Sequence, residues 1–536
     1  MISRPQIVLS TLNARYIHAS LGLRYLKANL DRHGRAGLQD LCVIREYTIK
    51  RPPEAIATDL LETLGTVDEG HKQILGLGVY IWNVAHTEKL IRLLKQQRPS
   101  LTIVLGGPEV SHELAEQAIV ALADHVITGW GDVSFAKLCR ALLDGPQPLM
   151  KVWPGEQPSI NDLELPYSQF SASDLRHRVL YVEASRGCPF KCAFCLSALD
   201  KTAWAFELDR FLAAMEDLYR RGARQFKFVD RTFNLKVDQS ARILLFFLEK
   251  LAQQTASGEP VNLALHFELI PDHLPDRLKE LLVQFPPGVL QFELGVQTLN
   301  TGVQSNVSRK QNNAVALSNL AWLKTHTQAH LHVDLIFGLP GEDLASFASG
   351  FDRLLDASPH EIQLGVLKRL RGAPIARHTV AHQMVYEPHA PYAVIQTGSV
   401  SSAQVLHFKR AARYWDLIAN SGRFKRGLAL LQGLDRANSG FMRFWAFSEY
   451  LWARHQRTDS LTPEVLLDAL FDYLCSQGHM ADAVREALLN DYIASGANNQ
   501  PECLAGRLVR RPLQNHSPTN ALNKRQQQHA SQQISM

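Results

Sequence analysis

Short apolar runs recur through the first 145 residues, each followed by a stretch whose apolar positions fall three and four apart. QIVLST (6–11), LCVIREYT (41–48), QILGLGVY (73–80), TIVLGG (102–107) and HVITG (125–129) read as strands. Runs of this length, rich in β-branched residues and bounded by turn residues, fill buried extended segments. SLGLRYLKANL (20–30) and PEAIATDLLETL (53–64) have helical spacing. Alternation with short connections predicts a five-stranded, doubly wound parallel sheet over residues 1–145. Ligands of such sheets sit outside the carboxyl ends of the strands. Here those ends are TLNARY (11–16), YIWN (80–83), GGPEVS (106–111) and GWGD (129–132).

Residues 146–178 contain several prolines and no clear long element, so they are expected to connect two domains. Alternation resumes at VLYVEAS (179–185) and continues through RQFKFVD (224–230), LALHFEL (263–269), VLQFELGVQ (289–297), LHVDLIFG (331–338) and EIQLGVLK (361–368). Six strands with five intervening helical stretches predict a partial (β/α)6 barrel over 179–385, with its site at the carboxyl ends of the strands. From 386 to 500 only helical runs appear, among them 405–420, 441–455 and 462–475, which predicts an all-helical third domain. Trp415, Trp445 and Trp452 fall at helical spacing there and read as core. The Gln/Asn/Ser-rich segment 501–536 lacks apolar periodicity and reads as a disordered tail.

Charge adds little. The net +5 equals the contribution of Arg507, Arg510, Arg511, Lys524 and Arg525, which follow the last acidic residue, Glu502. The rest is close to neutral, so nucleic acid is not an expected partner. No apolar run of 18 residues suggests a membrane span, and no apolar leader or cleavage site opens the chain. A cytoplasmic, thiol-reducing setting is expected, and there clustered cysteines serve as ligands.

Three of the seven cysteines lie in SRGCPFKCAFC, spaced Cys188-x3-Cys192-x2-Cys195. An odd cluster would leave one thiol out of any disulfide pairing. Structural zinc takes four ligands, usually as two separated pairs, and no second pair is present. Three thiolates suit a four-iron cluster with one iron open, although such clusters commonly take four cysteines. The spacing alone leaves both metals open. The loop falls at the end of the first predicted barrel strand, at the expected mouth.

CPFKCAFC, with Phe194 before its last cysteine, resembles the CxxxCxxC loop of radical SAM enzymes. LGGPEVS followed by ADHVITGWGDVSF resembles the cobalamin-binding domain that precedes one large radical SAM subfamily. SRGCPF, FVDRTFN, ELGVQT, DLIFGLPGED and KRLRGAP are similar to that subfamily as well. The helical C-terminus resembles an uncharacterised domain that closes one of its branches. The resemblance implies a 4Fe-4S cluster held by Cys188, Cys192 and Cys195, with S-adenosylmethionine (SAM) on the fourth iron. Reductive cleavage of SAM would give a 5′-deoxyadenosyl radical. It implies SAM contacts at Asp230, Glu293, Arg309, Ile336 and Gly338. Asp230-Arg231-Thr232 replaces the family's Gly-Gly-Glu, so the contact to the SAM amino group departs from the pattern. Glu268 reads as facing substrate or SAM, or as one partner of a buried ion pair, and the histidines His18, His266 and His332 read as core or substrate-facing residues.

For cobalamin, the resemblance implies Tyr80, Trp82, Asn83, Gly106, Gly107 and Pro108 beside the corrin. The Asp-x-His-x-x-Gly pattern that supplies an axial histidine is absent, and GWGD stands where relatives often carry Gly-Glu-Gly-Glu. The expected activity is methyl transfer to an unactivated carbon, with a flavodoxin- or ferredoxin-like electron donor. The alternative is another radical modification, of a small molecule or tRNA, with the first domain as a scaffold. Methylthiotransferases carry three further cluster cysteines in their first domain, where this chain has only Cys42 and Cys139. A non-enzymatic corrinoid or iron–sulfur sensor is the third reading; it predicts no SAM cleavage.

Overall fold

The computed structural model describes residues 5–66, 72–200, 202–258, 260–433, 439–497 and 499–507. They form two compact units. The first comprises the chain through Arg231 with Lys368–Ala376 and Glu387–Ala393. The second holds Thr232–Leu367, Arg377–Tyr386 and the chain from Val394 on.

In the first unit, β1 (Ile7–Asn13), β2 (Cys42–Thr48), β3 (Ile74–Gly78), β4 (Thr102–Gly106), β5 (His125–Thr128) and β6 (Val152–Pro154) form a sheet ordered β2-β1-β3-β4-β5-β6. Every pairing is parallel. All seven residues of β1 are buried, as expected when helices cover both faces. One face packs Val8, Leu60, Leu75, Leu90 and Ile103; the other packs Ile7, Leu9, Leu30, Phe135 and Leu138. Strand order reverses between β1 and β3, so a crevice opens at the carboxyl ends of these two strands.

Two expectations change here. The sheet has six strands, because Val152–Pro154 of the expected connector pairs with β5. That run is only three residues long and its outer positions are exposed, so it left no hydrophobic signature. The connector also forms the short helix Ala172–His177, capped reciprocally by Ser171 and Asp174.

The unit continues with β7 (Leu180–Val182), an antiparallel hairpin of β8 (Ser185–Gly187) and β9 (Ala203–Ala205), and β10 (Gln225–Phe228), which lies parallel to β7. In the second unit, β11 (Ala264–Leu269), β12 (Leu290–Gln297), β13 (His330–Phe337) and β14 (Glu361–Val366) pair in parallel in that order. All six expected barrel strands are therefore present, with helices in the intervals between them. Their burial alternates: Leu290, Phe292, Leu294 and Val296 of β12 are buried, and the residues between them are half-buried. One face is apolar core and the other is polar and accessible, unlike β1.

Five further helices, Ser402–Ile418, Lys425–Gln432, Gly440–His455, Pro463–Ser476 and Ala481–Ser495, make the C-terminal part helical, but not wholly as expected from 386, because Val394–Gln396 pairs antiparallel with Val385–Tyr386. Trp415 is core, packed on Phe351 and Phe444, while Trp445 and Trp452 are half-buried. The start of the expected disordered tail is ordered instead. Asp468 accepts from the backbone of Glu502 and Cys503, Leu504 is buried, and Arg507 pairs with Asp482. Arg510, Arg511, Lys524 and Arg525 lie outside the described residues. Among those described, no helix is long and apolar enough to cross a membrane.

A buried ion cluster ties the connector to the first sheet. Arg24 bridges Glu46 (2.9 Å) and Asp174 (3.0 Å) and lies over the Phe170 ring, and Arg178 joins the same Glu46 (3.0 Å). Removing one partner strands the others without water. Arg24→Met is expected to destabilise the first unit by about 3 kcal/mol, read as a lower urea midpoint of its unfolding transition. An unchanged midpoint would show that the cluster is energetically neutral.

Candidate functional site

The three-cysteine loop is the connection of the β8–β9 hairpin, immediately after β7. Gly187 opens it at φ +94, and a Cβ there would lie 2.4 Å from the Thr202 carbonyl oxygen. No other residue fits that position. Inside the loop the Cys195 N–H donates to the Cys192 carbonyl (3.0 Å), the Ala198 N–H donates to that of Cys195 (3.2 Å), and Lys191 Nζ donates to that of Ala198 (3.1 Å). Cys188 and Cys192 are buried, Cys195 is half-buried, and none of the three is in a disulfide.

Burial pushes the Cys188 thiol above its ordinary range, and charge on Cys195 and Cys192 acts the same way; the Phe190 N–H and Arg231 oppose it. The three sulfurs thus sense one another. A bound cation reverses this preference and holds such thiols as thiolates. Among the described residues, no three His, Cys, Asp or Glu side chains are close enough to hold a single ion. A four-iron cluster takes each thiolate on a different iron and needs a wider spacing.

The base of the loop is fixed by charge. Arg186 donates to Glu183 (2.7 and 3.0 Å) and to Asp132 (2.9 Å), and its guanidinium lies over the rings of Tyr25 (4.5 Å) and Trp130 (4.8 Å). Trp130 meets Trp204 of β9 edge-on. The GWGD segment after β5 therefore grips the hairpin that carries the cysteines. Sequence reasoning missed Arg186, Asp132 and Glu183. The available signal was a charged pair, Glu183 and Arg186, inside an apolar run.

Asp230, expected at the SAM amino group, is 2% exposed. Its two oxygens accept from the Ala184 N–H (3.0 Å) and the Ser185 hydroxyl (2.6 Å). It holds the strand end that feeds the loop. Burial pushes its pKa up to about 7, against the pull of those hydrogen bonds.

In the second unit, Glu293 faces His266, with Nε2 3.1 Å from its carboxylate, and stands beside Glu268 in the strand register. On the same polar face His332 meets Asp334 (3.2 Å). Burial disfavours the His332 cation, but Asp334, Glu361 and Glu293 outweigh it and raise the pKa. Arg309 donates to the Gln311 side chain (2.8 Å) and to the Gly295 carbonyl, where the β12–β13 register shifts. Ile336 pairs with Gly365 on that face. Gly338 sits at φ +87, where a Cβ would lie 2.7 Å from Val394 Cγ1.

At the crevice of the first sheet, Tyr80 and Trp82 stack at 4.5 Å, with Trp82 45% exposed and its Nε1 donating to the Leu12 carbonyl (3.1 Å). Asn83 is fully buried. Its amide donates to Thr11, Leu12 and Gly78, and its oxygen accepts from the Tyr80 N–H. It builds the loop and presents no free polar group. Gly107, at φ +110, passes so close to Val79 that a Cβ would lie 2.5 Å from its carbonyl oxygen. Trp82 and Pro108 are the exposed members of this set, and Tyr80, Gly106 and Gly107 are half-buried. His18, in the loop that follows β1, pairs with Tyr181 of β7 (2.6 Å).

A doubly wound sheet followed by parallel strands that carry a three-cysteine loop is the arrangement of a cofactor-dependent protein. Comparison with known proteins makes the class specific. A family model described as the B12 binding domain matches residues 7–139, one described as the radical SAM superfamily matches 182–353, and one of a protein of unknown function matches 380–535. The chain thus carries a stretch that matches the radical SAM superfamily, preceded by one that matches the B12 binding domain. It is 26% identical over 374 residues to the 2-(S-pantetheinyl)-carbapenam-3-carboxylate methyltransferase of Streptantibioticus cattleyicolor, covering 62% of this chain and 53% of that one. It is also 26% identical to the cobalamin-dependent radical SAM methyltransferase TokK of Streptomyces tokunonensis, covering 61% and 52%. The matched region spans about half the length of these relatives. The solved structure of the methyltransferase TsrM from Kitasatospora setae, with cobalamin and a 4Fe-4S cluster bound, shares the fold at a TM-score of 0.58 and 14% identity, covering 84% of this chain and 99% of that one.

These families bring a 4Fe-4S cluster, SAM and cobalamin. The residues present fit them: three cysteines on one loop, and an aromatic pair at a sheet crevice.

The Asp230 carboxyl has a pH signature. Its folded pKa of about 7 exceeds the ordinary 3.8, so its stabilising contribution is full below 3.8 and is lost as pH rises through about 7. The melting temperature of the wild type, relative to that of Asp230→Asn, should fall with pH across this window and level off above it. A flat difference would place the charge elsewhere.

Proposed function

We propose that this chain is a cobalamin-dependent radical SAM enzyme that transfers a methyl group to an unactivated carbon. The observation that carries the reading is the three-thiol hairpin loop after β7, in one unit with a B12 binding domain. When bound, the cluster supplies the electron that cleaves SAM to methionine and a 5′-deoxyadenosyl radical, and the corrin carries the methyl group.

The chain's own residues perform the rest. Cys188, Cys192 and Cys195 would hold the cluster, and Gly187 and Arg186 fix the loop that carries them. Phe194, half-buried, shields the site. Asp230 acts first on the loop, through Ala184 and Ser185. Glu293, Ile336 and Gly338 on the polar face of the second unit are assigned to SAM. Arg309 is assigned to its carboxylate, where a guanidinium forms paired hydrogen bonds. Tyr80, Trp82 and Pro108 are assigned to the corrin face, with Asn83, Gly106 and Gly107 shaping the turns beneath. A flavodoxin or ferredoxin is the proposed electron donor, and a reducing cytoplasm the proposed compartment.

The methyltransferase names of the relatives support this chemistry over other radical modifications. The test is anaerobic purification, cluster reconstitution, addition of hydroxocobalamin, desalting and a count of corrin per chain. About one corrin, with SAM converted to 5′-deoxyadenosine, is expected. Cleavage without retained corrin would move the reading to a scaffold domain and other radical chemistry. Cys192→Ala is expected to abolish both iron retention and SAM cleavage, and unchanged values would refute the cluster assignment.

A further inference from the structure

The loop after β4 is held by a stretch distant in sequence. Glu109, 4% exposed, accepts from Arg371 Nε (3.2 Å) and from the Tyr392 hydroxyl (2.5 Å). Glu113 accepts from both Arg369 (3.1 and 3.3 Å) and Arg371 (3.1 Å), and from the Gly372 N–H (3.3 Å). Gly372, at φ +79, lies against His112, where a Cβ would sit 2.3 Å from the imidazole. Three residues on, the Ile375 N–H donates to the Ala193 carbonyl at 2.7 Å. Ala193 lies between Cys192 and Cys195, and both it and Ile375 are fully buried. Residues 369–375 thus touch two loops at once. One carries Gly106, Gly107 and Pro108, and the other carries the thiols.

The contacts at each end are directional. Arg371 reaches Glu109, Glu113 and Tyr392 through different nitrogens or faces, which the forked guanidinium allows and a lysine ammonium does not. At the other end the link is a buried backbone hydrogen bond in a tightly packed loop. A shift of the β4 loop must break the ion pairs or pull on the segment between the cysteines.

We propose that residues 369–375 form a strut, with Arg371 as its positioning residue, that couples occupancy of the corrin crevice to occupancy of the cysteine loop. The proposal rests on the reading that cobalamin and a cluster bind. Coupling between two binding sites is reciprocal, so cluster assembly tightens corrin binding by the factor by which corrin tightens cluster retention.

The experiment titrates the full chain with hydroxocobalamin, anaerobically, with and without the reconstituted cluster. The wild type is expected to bind at least about fivefold tighter with the cluster. In Arg371→Met the ratio falls to about one, and Arg371→Lys, which keeps the charge without the fork, falls between. A ratio of one in the wild type, or an undiminished ratio in Arg371→Met, overturns the proposal. If Arg371→Met does not fold, Glu113→Gln takes its place with the same expectation. A wild type that binds no hydroxocobalamin in either state refutes the cobalamin reading, and the coupling with it. The strut itself is then judged by hydrogen exchange on the cluster-free protein. Peptides spanning 189–195 should exchange faster in Arg371→Met than in the wild type, and equal exchange rejects the strut.

Discussion

The Arg186 guanidinium is the contact on which the cysteine loop depends. It lies two residues before Cys188 and binds the carboxylate of Glu183, between β7 and β8, and that of the first residue of the helix Asp132–Asp144. Two aromatic rings, Tyr25 and Trp130, flank it. Buried ion clusters add little net stability, since desolvation offsets their attraction. They are demanding about geometry, because any partner that moves is left charged and dry. Such a cluster at the foot of a hairpin fixes where the hairpin points. The GWGD segment has a physical use here: Trp130 covers the guanidinium, and Asp132 pairs with it.

The two kinds of sheet divide the work by their burial. Strands such as β1 are buried on both faces, so only their carboxyl ends can meet a ligand. Strands β11 to β14 are buried on one face and keep a row of polar groups, Glu268, Glu293, His332 and Asp334 among them, on the other. The first arrangement suits a large planar cofactor laid across strand ends. The second suits polar molecules held along a sheet. The difference originates in the sequence, as continuous apolar runs in the first case and strict alternation in the second.

Most of this was legible before any coordinates. Five strands of the first sheet, all six later strands and the cysteine loop each left a local pattern of apolar runs or ligand spacing. What stayed hidden depends on contacts distant in sequence or too short to leave a period. Strand β6 pairs through three mostly exposed residues. Asp230 stands where the family resemblance implies a SAM contact, but the two donors that occupy its carboxylate come from residues 184 and 185. Asn83 was placed beside the corrin, and its amide is consumed by the backbone of β1 and β3. Arg371 belonged to a recognisable motif, KRLRGAP, yet its carboxylate partners lie more than 250 residues away.

The central claim is that three thiolates in this loop leave one iron open for SAM. Mössbauer spectroscopy of the protein reconstituted with 57Fe, recorded with and without SAM, tests it most directly. The account predicts a four-iron cluster in which SAM shifts the signal of one iron and leaves three unchanged. Four irons insensitive to SAM, or isolated tetrahedral iron in place of a cluster, would contradict it.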